Sequence, residues 1–378
     1  MDNSILDEIS HHTEMKIELI NKYVESWAYK ILQYPGKKVN SKNEGLVFID
    51  CMSNAGMYRR KGTDYLVEGT ALRVIRTLGP IMEKNPNKKA LLFFNDICSN
   101  KIEYLENCAK RINYKNIEVN TSVLDKNVFL DKFPIKKYTN YQILLIYDPY
   151  KTDIYWNGIA PFFNVWGEVI INHMLYDVTL GIKNVKNNQA IRRYEESYQM
   201  SKNEIEEIHK DREKLNSRII QLIKEKRLRK GEYYISYASF FNKTRGEVYR
   251  LIHCSPSLEG IKLYKKCAWK TFDDKSSEKG LNKADGQLQM NFENESIDYR
   301  ETEENCFTVL DIAKYICTKF KSRKKVEKKT VYADLDKHPV FPSEGYKRNI
   351  EKALKDMYGV KVTKTEFIFN DNTAAIFG

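Results

Sequence analysis

Apolar residues along this chain follow two periods. Ile17, Ile20, Val24, Trp27 and Ile31 recur at spacings of three and four and predict an amphipathic helix over 16–32, which Pro35-Gly36 ends. Five short, nearly unbroken apolar runs follow, at 46–50, 90–96, 117–119, 143–148 and 168–172. Runs with so little alternation suit parallel strands buried on both faces. Helical patterns lie between them at 67–84 and at 99–112, the latter with Ile102, Leu105 and Ala109 on one face. Strand alternating with helix predicts an α/β sheet. Two further runs, 233–241 and 248–253, are joined by a turn ending at Gly246 and predict a closing hairpin. The expectation is a Rossmann-like, mostly parallel seven-stranded sheet.

The pattern changes twice. Residues 184–231 are densely charged, without Pro and with Gly only at the end, and carry a thin apolar stripe: Ile205, Ile208, Leu215, Ile219 and Leu222. They predict one or two long helices inserted into the sheet domain and packed by a narrow face. After a helix from Leu258 to Trp269, residues 273–305 are polar and acidic and read as a linker. From 306 a small domain follows. Thr308 is placed to cap a helix carrying Val309, Ile312, Ala313 and Ile316. Ser343 is placed to cap another, with Ile350, Ala353, Leu354 and Met357 on its buried face and Gly359 at its end. Two terminal strand-like runs, 360–363 and 366–369, the second returning through 370–372 to 374–377, complete a winged-helix outline. The organisation expected is a sheet domain over 1–183 and 232–272, interrupted by the insertion at 184–231, then the linker and a winged helix over 306–378.

Composition narrows the classes. The chain has 378 residues, 42% hydrophobic and 30% charged, which is ordinary for a globular protein. No stretch reaches the roughly 18 apolar residues of a membrane span, and the polar opening has no apolar signal core, so a cytoplasmic protein is expected. Seven scattered cysteines without a CxxC pair argue against a disulfide framework and against a zinc site, and no metal is expected. The net charge of +12 is compatible with a nucleic-acid partner. The basic tract Lys321, Arg323, Lys324, Lys325, Lys328 and Lys329 is the candidate contact.

Chemistry is suggested at the strand ends. Four runs finish in Asp50, Asp96, Asp148 and Asn172, and ligands of open α/β sheets sit beyond the carboxyl ends of the strands. After Asp50 comes Cys51-Met52-Ser53-Asn54-Ala55-Gly56, a turn of mostly small residues. Class I methyltransferases use such a turn to bring backbone close to S-adenosylmethionine. Asp50, Ser53, Asn54 and Gly56 are therefore candidate cofactor residues, with Asp96 for the ribose hydroxyls and Asp125 for the adenine amino group. Asp148-Pro149-Tyr150 is close to the D-P-P-Y motif of amino-methyltransferases. There the acid accepts a hydrogen bond from an exocyclic amine and the aromatic ring stacks on the base. These three are the candidate catalytic residues. His173 and His253 are isolated, and no HxH, HExxH, GxSxG or P-loop pattern supports a hydrolase.

Blocks of sequence in order add a family resemblance. FIDCMSNAGMY at 48–58 resembles Y-I-D-G-F-A-G-P-G-x-Y, Glu68-Gly69-Thr70-Ala71 resembles G-S-P-x-x-A, and Asp148-Pro149 resembles D-P-F-G. IINHMLYD at 170–177 resembles L-L-N-F-M-Y-D, and 257–269, with Gly260 and Lys262, resembles H-P-x-G-L-x-x-M-K-x-A-M-W. These are the motifs of the three-Cys-motif partner proteins (TcmP). That resemblance implies a methyltransferase-like Rossmann domain, a C-terminal winged helix and a genomically neighbouring partner protein in a phage-related or mobile-element setting. Asn54 stands where the family motif has the glycine before its proline, Cys51-Met52 where it has Gly-Phe, and Tyr150-Lys151 where it has Phe-Gly. Two functions stay open: an S-adenosylmethionine-dependent methyltransferase acting on nucleic acid, and a catalytically degenerate scaffold serving another enzyme.

Overall fold

The computed structural model describes residues 3–33, 43–165, 167–182, 188–242, 246–280 and 306–369. A short β1 (Glu8–Ile9) precedes helix α1 (His11–Gln33). β2 (Gly45–Asp50) leads through the Cys51–Gly56 turn into β3 (Met57–Arg60), β4 (Leu66–Glu68) and α2 (Thr70–Glu83). Then β5 (Lys89–Asp96), α3 (Ser99–Ala109), β6 (Ile117–Val123), α4 (Lys126–Lys132), β7 (Tyr141–Tyr147), α5 (Trp156–Phe163) and β8 (Gly167–Met174) alternate as the periodicity predicts.

Strand and helix alternation puts β6, β5, β2, β7 and β8 side by side and parallel. The hairpin of β9 (Tyr234–Asn242) and β10 (Gly246–Ser255) closes the sheet, with β10 antiparallel to β8 and to β9. The order β6-β5-β2-β7-β8-β10-β9 is that of the Rossmann-like, class I methyltransferase sheet. An eighth strand, β11 (Ser277–Gly280), adds parallel to β9 from inside the segment expected to be a linker. Its sequence, Ser-Glu-Lys-Gly, carries no apolar pattern; backbone pairing at a free sheet edge places it. The rest of that segment, 281–305, lies outside the described residues.

β2 sits at the centre, and all six of its residues are buried. Gly45 opens it at φ +143, where an added Cβ would lie 1.8 Å from the Lys89 carbonyl oxygen, so only glycine fits. One face of the sheet is covered by α1, α2, α3 and α10 (Leu258–Thr271), through residues such as Tyr23, Trp27, Ile75, Leu105 and Tyr264. The other is covered by α4, α5 and the insertion.

The insertion differs from expectation. Beyond α6 (Tyr176–Gly181), it forms three helices rather than one or two long ones: α7 (Asn188–Tyr198), α8 (Lys202–Ile208) and α9 (Arg212–Glu225). Ser201 and Glu204 form a capping box that starts α8, and Asp211 caps α9, so local capping side chains cut the charged run into pieces. The thin stripe is real: Ile205, Leu215, Ile219 and Leu222 are fully buried. Polar ties reinforce it. His173 bonds Asn216 and Tyr198, both at 2.8 Å, and burial pulls its pKa down to about 3. Arg250 of β10 pairs with Glu247 at 2.7 Å and with Glu213 of α9 at 2.6 Å.

The C-terminal segment runs helix Val309–Phe320, β12 (Lys325–Glu327), helices Lys328–Lys337 and Lys347–Tyr358, β13 (Lys361–Val362) and β14 (Glu366–Ile368), with sheet order β12-β14-β13. The Thr308–Asp311 capping box starts its helix and the left-handed Gly359 ends another, as predicted. Ser343 does not cap: Tyr346 is the N-cap, and the Ser343 hydroxyl bonds the Asp336 carboxylate instead. Met357, expected on the buried face, is 54% exposed, because the helix buries only Ile350, Ala353 and Leu354. The expected return strand at 374–377 lies outside the described residues.

Lys265 of α10 joins the two parts. It is 1% exposed, and its Nζ donates to the carbonyls of Leu335, Asp336 and His338 at 2.6, 2.9 and 2.8 Å. Burial pulls the ammonium down to about 7, opposed by the charge of Asp336 and helped by that of Lys262. Trp269 Nε1 donates to the Val340 carbonyl at 3.0 Å beside it. Among the described residues no helix is long and apolar enough to cross a membrane, and all seven cysteines are free.

Candidate functional site

The parallel strands end along one edge, and the loops after β2, β5, β6 and β7 converge there. Asn95, the next-to-last residue of β5, stitches them together. Its Nδ2 donates to the carbonyls of Cys51 at 3.1 Å and Leu124 at 2.9 Å, and its Oδ1 accepts from the Ser122 hydroxyl and the Leu124 amide. The Ser53 amide donates to the Asn95 carbonyl at 2.8 Å. A buried polar group so fully bonded fixes loop positions. The only sequence signal for Asn95 is an amide inside an apolar run.

A hollow of about 290 Å³ opens between these loops, near the lower end of the roughly 300–1,000 Å³ usual for small-molecule sites. Asp96 and Asp125 line it, with Met52, Ile97, Pro149 and Tyr150. Ile97 is 71% and Tyr150 68% exposed, so two large apolar faces stand open at its rim. Asp96 is held by the amides of Asn54 at 3.1 Å and Cys98 at 2.9 Å, leaving lone pairs on each oxygen for a ligand. Asp125 caps α4 through the Asn127 amide at 2.8 Å. Lys126, Lys151 and Arg193 add positive charge, and Lys126 pairs with Asp153 at 2.9 Å.

The turn after β2 is arranged differently. Asn54 takes φ +57, a left-handed conformation that asparagine tolerates better than most residues, so the backbone survives loss of glycine. Its side chain is not aimed at the hollow. Nδ2 donates to the Asp7 carboxylate at 2.6 Å and to the Tyr150 hydroxyl at 3.1 Å, and Oδ1 accepts from the Ala55 amide at 2.7 Å. Asp7 arrives because β1 pairs parallel to β3, and Lys101 holds it at 2.7 Å. Gly56, at φ +70, faces the helices: an added Cβ would meet Leu105 at 2.5 Å, so it serves packing. Ser53 is buried against Asn95 and also lines no part of the hollow.

Asp148 lies just past β7. Lys16 of α1 pairs with one of its oxygens, and Asn172 of β8 donates to the other at 2.6 Å. Lys16 and Asp7 are site residues that sequence reasoning missed; each comes from the N-terminal segment, far in sequence from any strand-end motif. Asp50 is 4% exposed and bonds the Met52 amide at 3.1 Å. Burial raises its pKa to about 7, helped by the charges of Asp148 and Asp96 and opposed by Lys16.

The chemistry of these groups fits the nucleoside part of S-adenosylmethionine: two acceptor carboxylates and two apolar faces around a nucleoside-sized hollow. The space over the Cys51–Gly56 turn, where the methionine part would extend, is bridged by the Asn54, Asp7 and Tyr150 hydrogen bonds.

The basic tract is spread over three elements. Lys321 and Arg323 lie in a 3-10 turn, Lys325 in β12, and Lys328 and Lys329 at the start of a helix. Three charges are paired locally: Lys325 with Glu366 at 2.9 Å, Lys328 with Glu351 at 2.8 Å and Lys329 with Glu327 at 3.2 Å. Arg323 lies 5.6 Å from the Phe320 ring, and Lys324 takes φ +53. Helix Lys347–Tyr358 instead exposes Lys347, Arg348, Lys352 and Lys355. Arg348, Lys352 and Lys355 make no ion pair among the described residues. Their spacing at 348, 352 and 355 places them on one face in the sequence, opposite the apolar Ile350, Ala353 and Leu354.

No protein-family model and no curated protein matches the chain. Solved structures with a similar fold include a Legionella pneumophila protein of the family DUF519, at 12% identity and TM-score 0.38 over 68% of this chain and 92% of that one. A precorrin-6y C5,15-methyltransferase from Geobacter metallireducens aligns at 7% identity and TM-score 0.28, covering 61% and 86%. A geranyl diphosphate C-methyltransferase from Streptomyces coelicolor, in complex with S-adenosyl-L-homocysteine, aligns at 9% and 0.27, covering 62% and 78%. At these scores the strand order, not the likeness, carries the fold.

Proposed function

We propose that this chain binds S-adenosylmethionine in the hollow at the carboxyl edge of its sheet and acts as a methyltransferase on nucleic acid, the substrate class that the Asp148-Pro149-Tyr150 motif and the basic charge favour. The observation that carries the reading is the convergence of Asp96, Asp125, Ile97 and Tyr150 on one nucleoside-sized hollow. The cofactor supplies an activated methyl group on its sulfonium. Asp96 accepts from the ribose hydroxyls, Asp125 accepts from the adenine amino group, and Ile97 and Tyr150 cover the ring. Asp148, steered by Lys16 and Asn172, presents a carboxylate at the strand end where a substrate amine would dock. We read the C-terminal segment as a winged helix whose helix Lys347–Tyr358 meets phosphates through Arg348, Lys352 and Lys355.

Isothermal titration of the full chain with S-adenosylmethionine and with S-adenosylhomocysteine tests the first step. Heat from both, lost in Ile97→Asp, supports binding; no heat with either overturns it. Transfer of labelled methyl to DNA or RNA, abolished in Asp148→Ala, tests the second.

A second reading rests on a specific observation. The Asn54 bridge to Asp7 and Tyr150 and the tying of Asp148 by Lys16 and Asn172 both suit a degenerate site in a protein that serves a neighbouring enzyme. Co-purification with that neighbour, unchanged by Asp148→Ala and accompanied by no methyl transfer, supports this reading over the first.

A further inference from the structure

A second cavity is larger than the hollow described above. It lies at the opposite, amino edge of the parallel strands and has a volume of about 510 Å³. Its apolar wall is formed by Trp27 and Ile31 from the end of α1, Ile143 from the start of β7, and Leu258 and Leu263 from α10, while Lys30, Gln142, Tyr234, Ser257 and Glu259 add polar groups. One lining acid is buried. Glu168 is the second residue of β8, in a strand otherwise apolar until Asn172, and its side chain is 91% buried.

The two oxygens of that carboxylate are used unequally. Oε2 accepts from the Tyr23 hydroxyl and bonds His253 Nε2 at 2.6 Å. His253 is fully buried, stacked on Tyr264 at 4.6 Å, and its Nδ1 has no partner. An imidazole with a bare buried Nδ1 carries its proton on Nε2 and donates it to Glu168. Oε1 has no hydrogen bond among the described residues, and Glu168 lines the cavity. Directly in front of Oε1 the chain has Gly260, where an added Cβ would stand 2.6 Å from that oxygen and 2.7 Å from the Ser255 hydroxyl. The absence of a side chain at Gly260 keeps the acid open to the cavity.

A carboxylate oxygen open to a cavity and lying beside apolar side chains favours a ligand that brings both a charged donor and an apolar body. We propose that this cavity is a second binding site, specific for a small amine with an apolar or aromatic body, whose ammonium donates to Glu168 Oε1 while its body packs against Trp27, Ile31 and Leu263. Tyr23 and His253 hold the carboxylate in place and are positioning residues. Lys30 and Glu259, 3.9 Å apart and both exposed, flank the mouth from α1 and α10. The site stands whether or not the carboxyl-edge hollow binds a cofactor, since the two share no residue.

The test uses the full chain and two probes, tryptamine and its amine-free counterpart indole, followed by isothermal titration. The expected result is saturable tryptamine binding, with indole weaker by about tenfold to a hundredfold, the value of one charge-assisted hydrogen bond. Glu168→Gln is expected to reduce tryptamine to the level of indole. Because that substitution also disturbs Tyr23 and His253, Leu258→Trp provides a second arm: it fills the mouth, leaves Glu168 intact and is expected to exclude both probes. Equal affinity for tryptamine and indole, no tryptamine binding at millimolar concentration, or unchanged binding in Leu258→Trp would overturn the proposal.

Discussion

Asp50→Asn is the sharpest probe of the strand-end electrostatics. Asp50 is buried at the end of the central strand, where burial first, and the charges of Asp148 and Asp96 after it, raise its pKa from 3.8 to about 7. Between those two values the folded chain holds a proton that the unfolded chain has released. Stability from this group is therefore present at acid pH and is lost as pH rises through the window. The gap corresponds to about 4 kcal/mol in full, with a steepest slope of about 1.4 kcal/mol per pH unit. Asparagine is neutral throughout, keeps an oxygen for the Met52 amide at 3.1 Å, and has nearly the same shape. The variant is expected to match the parent near pH 4 and to exceed it by about 4 kcal/mol at pH 8. Urea unfolding of both proteins at pH 4, 6 and 8 reads this directly. A stability difference that does not change with pH, or one that favours the parent at pH 8, refutes the reasoning.

Other substitutions test other parts. Lys265→Met leaves three carbonyls without their donor between α10 and the C-terminal helices, and is expected to cost about 3 kcal/mol in urea unfolding and to expose the Lys328–Lys337 segment to limited proteolysis. Gly45→Ala forces a methyl into the Lys89 carbonyl and is expected to leave little soluble protein, judged by expression and thermal melting. Arg348→Glu is expected to weaken DNA binding and to lower the slope of log affinity against log salt by about one, measured by fluorescence anisotropy; the same change at Lys329, already paired with Glu327, is expected to do less.

The parallel strands were readable because a strand buried on both faces must be apolar along its length, and 46–49, 90–94 and 143–147 are. The capping residues Thr308 and Gly359 were readable for a similar reason: each satisfies backbone groups locally. What escaped depended on partners distant in sequence. β11 has no pattern of its own and exists by pairing with β9. Asp7, Lys16 and Asn95 look like ordinary polar residues until the turn after β2 and the end of β7 are brought beside them. Asn54 was legible as a backbone replacement for glycine, but the direction of its side chain was not, since that is set by Asp7 and Tyr150. The charged insertion shows only a thin apolar stripe in the sequence. Its buried arginine and histidine ties are invisible to a hydrophobic count.

The Lys265 contact also limits how the molecule can adapt to a large polymer. A helix end whose carbonyls share one ammonium in a water-poor seam cannot hinge away without stranding a charge. The C-terminal helices and α10 must therefore travel as one body. The reach from Arg348 to the edge of the great sheet is a fixed span, so under the proposed function a duplex touching both would have to supply the curvature itself.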